Sequence, residues 1–302
     1  MAPSILIVGA TGNTGRGAAH DLPGLLQATQ RFSKHRVLAL TRNIDSPVAQ
    51  QLAQILGHQV ERAFIAAHNE PNQFAEESAF HVAALDAGVE YVVRISTTAA
   101  AVRPDFRSYY PRAHWAIEAM LGSTEFGALK WTSLQPNAFS TGYLAPAAQH
   151  IKHYKRTGEQ PPLSLMMAKD APVAPNDPSE VGAFAARLLA LDDPSPHNRA
   201  KYVLNGPEDI TGEQMVHLIE QHIGTKVDNV VYQDISFIDG LVASGFGGPG
   251  QSKTVMASIK YGLMTMWEGS CNAATTSKEV KELGPPKRTP SDVLETLLDD
   301  QN

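Results

Sequence analysis

The stretch Ser4-Ile5-Leu6-Ile7-Val8-Gly9-Ala10-Thr11-Gly12-Asn13-Thr14-Gly15 stands near the start of a chain of 302 residues. An unbroken apolar run, rich in branched side chains, leads straight into three glycines spaced three apart. A run of that kind ended by a turn signal predicts a strand buried on both faces of a parallel sheet. From Asn13 the residues suit a helix, which Pro23 is expected to interrupt. Strand, glycine turn and helix in immediate succession are the setting in which such glycines carry chemistry. They let the backbone turn sharply and a diphosphate approach closely, and the helix start offers N–H groups with no intrahelical partner. The plainer alternative is an ordinary turn between a strand and a helix.

Working outward, 35–40 reads as a second strand, and 46–56 as a helix capped by Ser46 with Pro47 at its first position. A strand at 60–67, a helix at 72–87 stopped by Gly88, a strand at 89–95, a helix at 113–121 and a strand at 130–134 follow. Asp177-Pro178-Ser179-Glu180 reads as a capped helix start, with Val181, Phe184, Ala185, Leu188 and Leu189 on one apolar stripe. The last strand of the sheet is expected at 201–205. Two more capped helices begin at Thr211, with Gln214 three residues on, and at Thr289-Pro290, with Asp292. The glycine-rich run 245–250 is expected to be a mobile loop.

This alternation predicts an α/β chain: a Rossmann-type, doubly wound parallel sheet with a smaller, discontinuous α+β C-terminal domain. The expected division gives 1–137 and 176–206 to the nucleotide-binding domain. The remainder, 138–175 and 207–302, goes to a domain for a substrate or partner.

Composition limits the alternatives. Apolar residues make up 43% of the chain, enough for a sizeable core, and charged residues 19%. A net charge of −6 without a dense run of Lys and Arg argues against direct nucleic-acid binding. The single cysteine, Cys271, excludes a disulfide framework and a cysteine metal centre, and no metal site is expected. It reads as packing or as a lone nucleophile. No stretch approaches the roughly 18 apolar residues that cross a bilayer, and no leader pattern is seen, so a cytoplasmic address is expected.

At the end of the second strand an acidic residue would hold the ribose 2′-hydroxyl of NAD. Here Thr41-Arg42 stands instead. A guanidinium there can grip a 2′-phosphate with two prongs, which favours NADP(H) over NAD(H); otherwise Arg42 is a solvated surface residue. Arg16 is a second candidate cation.

Several stretches together resemble the NmrA-like family of atypical short-chain dehydrogenase/reductases, the fungal members in particular. They are 9–16, His68-Asn69-Glu70-Pro71-Asn72, Arg94-Ile95-Ser96-Thr97, 112–118, Leu134-Gln135-Pro136-Asn137-Ala138-Phe139 and 177–182. The resemblance covers nearly the whole chain and keeps the family's order. It implies a dinucleotide site with His68 and Asn69 near the nicotinamide half. Ser96 and Thr97 would face the cleft at the end of their strand, and Pro136, Asn137 and Phe139 would close over the nicotinamide. A surface histidine is the other reading of His68. Relatives place a further strand and helix between the second strand and residue 60, where this chain has room for one helix. The missing strand would be the outermost, so its loss bares the edge of strand two and implies weaker cofactor binding and possible pairing through that edge.

Ordinary short-chain dehydrogenases use Tyr-x-x-x-Lys. Tyr110-Pro111-Arg112-Ala113-His114 keeps the spacing but has histidine at the lysine position. A neutral imidazole cannot supply the permanent charge that would activate a phenol, so Tyr110 is either the acid or a cleft-lining side chain. His114 is a ribose contact, a proton donor near neutrality, or a helix-surface partner of Glu118. Two functions stay open: an NADPH-dependent reductase of quinones or small conjugated carbonyls, and a non-catalytic dinucleotide sensor that binds a protein partner such as a transcription factor. A regulator would also enter the nucleus.

Overall fold

A computed structural model describes residues 3–40, 60–245 and 251–299. The helix expected at 46–56, Arg42, and 246–250 of the glycine-rich loop lie outside the described residues.

The first strand, β1 (Ser4–Val8), passes through the glycine turn into α1 (Asn13–Gln27) and β2 (Arg36–Leu40). Pro23 sits inside α1 and does not interrupt it, contrary to expectation. Its ring lies on the exposed face, while Leu22 and Leu26 on either side are buried. Proline there forfeits a backbone bond that water can replace, and burial of its neighbours holds the helix together.

Next come β3 (Val60–Ile65), α2 (Gln73–Asp86), β4 (Tyr91–Ile95), α3 (Tyr109–Leu121) and β5 (Lys130–Pro136). Helix α3 starts one turn earlier than its sequence suggests. Pro111 stands in its first turn, where a missing N–H breaks no intrahelical bond. The chain continues through α4 (Ser140–Thr157), β6 (Leu163–Ser164), α5 (Pro178–Leu189), β7 (Ala200–Leu204), α6 (Gly212–Ile223) and β8 (Val230–Val231). Five helices follow: α7 (Phe237–Ala243), α8 (Lys253–Ala257), α9 (Lys260–Met264), α10 (Lys278–Leu283) and α11 (Pro290–Asp299).

Six parallel strands form one sheet in the order β2-β1-β3-β4-β5-β7. The reversal beside β1 is where ligands of open α/β sheets lie. Among the described residues β2 is an edge strand. Alternation along β1 divides two cores: Ile5 and Ile7 pack with Leu22, Val181, Phe184 and Leu188, whereas Leu6 and Val8 meet the layer of Ile117, Leu121 and Trp131. A third core gathers Tyr143, Leu144, Ile151, Leu163, Met215, Ile219, Met266 and Leu294 around the small β6–β8 sheet. No helix among the described residues is long and apolar enough to cross a membrane.

Two glycines let α1 and α5 meet backbone to backbone. A Cβ at Gly182 would lie 2.1 Å from the Thr14 carbonyl oxygen, and one at Gly17 would lie 2.3 Å from that of Ser179. The Asp177 carboxylate caps α5 by accepting the Ser179 N–H at 2.7 Å. Glu180 instead accepts the N–H groups of Lys287 and Arg288, which fastens the segment before α11 to the sheet domain. Thr211 and Gln214 form the expected reciprocal cap on α6, and Thr289 with Asp292 does the same for α11.

Candidate functional site

Gly9 adopts φ +80° and its N–H donates to the Leu40 carbonyl at 3.0 Å, so the turn leaves β1 while still paired to β2. Its carbonyl accepts the Gly12 N–H at 2.9 Å, and a Cβ at Gly15 would fall 2.1 Å from that same oxygen. The spacing is therefore a steric requirement. Gly12 caps α1 without any side-chain hydrogen bond, and the first turn carries no acidic residue. The positive end of α1 thus carries no carboxylate of its own; the acidic side chains that border the cleft there, Glu76 and Glu77, are engaged by His68 and Arg94.

Two hollows lie across the carboxyl ends of the strands. One, of about 590 Å³, is bordered by Gly9, Thr11, Gly12, Asn13, Thr14, Leu40, Ala66 and His68. The other, of about 460 Å³, is bordered by Asn69, Ser96, Thr97, Pro136, Asn137 and Phe139 from the sheet side, and by Tyr143, Met166, Phe237 and Leu263 from beyond it. Thr14, Ala66 and Ala67 border both, so the two form one trough from the glycine turn to the third core. A separate hollow of about 640 Å³ on the outer side of α4 touches none of these residues.

The structure thus gathers the residues singled out from sequence, with some redistribution. His68 borders the glycine-turn half, where it accepts the Glu70 N–H on Nδ1 and donates from Nε2 to Glu76. Gly15 lies buried behind the turn, and Arg16 is exposed at the start of α1. Tyr110 borders the second half, one turn of α3 from His114 with ring centroids 6.5 Å apart.

His114 is buried, 1% exposed, and makes no pair with Glu118 on the helix surface. Burial, with the Arg94 guanidinium beside it, drives its pKa down to about 3. It is neutral at pH 7, so an imidazolium poised to release a proton near neutrality is not present. Its tautomer follows from its neighbours. Arg94 Nη2, which can only donate, lies 2.8 Å from His114 Nδ1, so that nitrogen carries the lone pair. The proton is on Nε2 and is donated to Asn69 Oδ1 at 3.1 Å. The Asn69 amide NH₂ is thereby turned away from His114, on a residue that borders the trough.

Arg94 anchors a wider buried network. It donates to Glu77 at 2.6 Å and to Ser133 at 2.9 Å, while Glu118 accepts from Ser133 at 2.7 Å and pairs with Lys201 at 2.9 Å. Burial alone would raise the pKa of Glu77 and Glu118, but the Arg94 charge together with the hydrogen bonds each carboxylate accepts outweighs it and holds both below the usual carboxylate range. Sequence reasoning missed this network, along with Tyr143, Met166 and Phe237. Its charged members sit on two strands and two helices, and no spacing in the chain signals that they meet.

Ser96 Oγ, Asn137 Oδ1 and Tyr143 Oη are buried without a hydrogen-bond partner among the described residues. Buried polar atoms are rarely left so, and all three residues border the same half of the trough. Cys271 is fully buried with its thiol pushed up to about 11, chiefly by burial, which makes it inert packing. No cluster of metal-ligating side chains occurs among the described residues.

No protein-family model and no curated protein sequence matches the chain. Solved structures do share its fold. An NADPH-dependent quinone oxidoreductase of Escherichia coli, complexed with NADPH, superposes with a TM-score of 0.67 at 22% identity, covering 98% of this chain and all of that one. The triphenylmethane reductase of Citrobacter sp., complexed with NADP(H), gives 0.67 at 18% identity, with 98% and 100% covered. Nmra, a negative transcriptional regulator, gives 0.57 at 14% identity over 99% and 96%. The chain therefore has the Rossmann-type fold of these proteins over essentially its full length.

Proposed function

We propose that the chain binds NADP(H) along the trough and uses it to reduce quinones or small conjugated carbonyl compounds. The observation that carries this reading is the glycine turn, closed by Gly9 and Gly15 and leading into a helix whose first turn has no acidic residue, beside a trough whose far half holds buried polar atoms without partners among the described residues. In this reading Gly9, Thr11, Gly12, Asn13 and Thr14 hold the diphosphate, and Arg42 meets the 2′-phosphate. Ser96, Thr97, Asn137, Pro136 and Phe139 receive the nicotinamide half, and Asn69, set by His114, adds a donor there. The residues 1–137 and 176–206 form the nucleotide domain, and 138–175 with 207–302 the substrate domain. When bound, the cofactor supplies a hydride; the protein's part is alignment and exclusion of water.

The likeness to NADPH-bound quinone and dye reductases supports the choice. The test is NADPH oxidation followed at constant cofactor with a panel of benzo- and naphthoquinones: steady consumption is expected, and a flat trace across the panel would remove the reductase.

A second reading, a dinucleotide sensor acting on a protein partner, is favoured by one observation. The Tyr110 phenol has its pKa pushed up to about 12 by burial, and the histidine behind it is neutral, so the usual acid is disabled. That reading predicts cofactor binding without turnover, and a partner whose capture changes with the NADP⁺/NADPH ratio.

A further inference from the structure

We propose that Tyr143, from the domain opposite the glycine turn, is the hydrogen-bond donor that grips the substrate's carbonyl oxygen, and that the pocket it borders takes neutral, flat substrates only. This deepens the reductase reading and rests on it.

Two phenols border the pocket, and they differ in what already occupies them. The Tyr110 hydroxyl lies so close to α9 that a Cβ at Gly262 would fall 2.2 Å from it. Tyr110 is thereby a structural contact between α3 and α9. Tyr143, on the first turn of α4, is 3% exposed and its hydroxyl finds no hydrogen-bond partner among the described residues. A phenol buried in that state loses its bond to water and gains nothing, unless a ligand atom completes it.

The surroundings restrict what that ligand is. Met166, Phe237, Leu263 and Met266 form the apolar wall beside Tyr143, and among the described residues no Asp, Glu, Lys, Arg or His borders this half of the trough. An ionised group brought here would leave water without meeting a counter-charge, whereas a flat conjugated ring gains aromatic and thioether contact. Burial also raises the Tyr143 phenol well above its ordinary range, so it keeps its proton throughout neutral and mildly alkaline pH. Tyr143 therefore donates a hydrogen bond without releasing the proton. Reduction adds a hydride, taken from the reduced nicotinamide, and a proton from water across the conjugated carbonyl. No bond to Tyr143 is made or broken, and the phenol stabilises the negative charge that builds on oxygen.

The test pairs calorimetric titration with turnover, on the wild-type chain and Tyr143→Phe. Naphthoquinone and naphthoquinone sulfonate are titrated into the protein with and without NADP⁺, and kcat is measured with NADPH. The wild type is expected to bind naphthoquinone and reject the sulfonate. Tyr143→Phe is expected to bind naphthoquinone roughly fivefold more weakly or worse, with NADPH affinity held within about twofold and kcat lowered. Equal affinity and rate in Tyr143→Phe, no binding of naphthoquinone by the wild type, or sulfonate bound as tightly as its parent would each overturn the assignment. Binding that depends on Tyr143 in a protein that reduces no quinone would sustain the Tyr143 contact while removing the reductase.

Discussion

Arg94 decides the state of His114, and through it the direction of the Asn69 amide, because a guanidinium has no lone pair to offer the imidazole. The same side chain balances Glu77 and Glu118, both without solvent contact. Arg94→Met would remove the cation between those carboxylates, leaving Glu77 with Gln73 and neutral His81 and Glu118 with Lys201. We predict a loss of about 3–5 kcal/mol in denaturant unfolding, or failure to fold, far beyond a surface arginine's effect. At the same scale, Tyr110→Phe should retain more of the turnover than Tyr143→Phe, since the Tyr110 hydroxyl is already packed against α9 at Gly262. Comparing the two variants' kcat values checks this, and the reverse order would return the acid to Tyr110. The sequence shows His114 and Glu118 four residues apart on a helix, which suggests a surface pair. Both turn inward, because Ser133 and Arg94 arrive from adjacent strands to receive them. A pattern along one helix carries no record of what packs against it.

The glycine turn was legible from sequence because its requirements are local: a strand, a sharp turn and a helix start are neighbours in the chain. Gly182 was legible only as part of a family resemblance, although it has a physical task. It admits α1 against α5, with Thr14 of the turn as the touching residue. Gly182→Ala should therefore cost about 1–3 kcal/mol from overpacking and also weaken NADPH binding, because the displaced atom belongs to the cofactor's turn. Urea unfolding and calorimetry on the same preparation separate the two effects; lost stability with unchanged affinity would show the helix contact to be independent of the site. Pro23 and Pro111 mark the opposite case. Each suggests a break or a late start, and each is absorbed, one on an exposed helix face and the other in a first turn.

The molecule as a whole should lose stability on mild acidification. His114 has an ordinary pKa of 6.5 and a folded value of about 3, and buried His81 is lowered in the same direction, chiefly by burial. Groups lowered on folding bind fewer protons in the native state, so between those two values the unfolded chain is favoured as pH falls. Each such histidine removes up to about 1.4 kcal/mol per pH unit across its window, and stability is complete only above about pH 6.5. Glu77 and Glu118 add to the loss below the usual carboxylate range. Melting temperature measured from pH 7.5 down to about 5 should fall, and His114→Gln should flatten part of that fall; identical slopes would mean that His114 is not buried neutral. The fold class could be anticipated from the alternation of strand and helix. The trough could not, since its far wall comes from residues 143–266, and only the returning chain brings them over the strand ends.

The central claim is that the amides after β1 hold a phosphorylated nicotinamide dinucleotide, and calorimetric titration of NADPH against NADH tests it most directly. We predict saturable NADPH binding in the micromolar range, with NADH at least about tenfold weaker and the gap narrowed in Arg42→Ala. Absence of heat from both dinucleotides at millimolar concentration would contradict the account at its root, and a preference for NADH would remove the role given to Arg42.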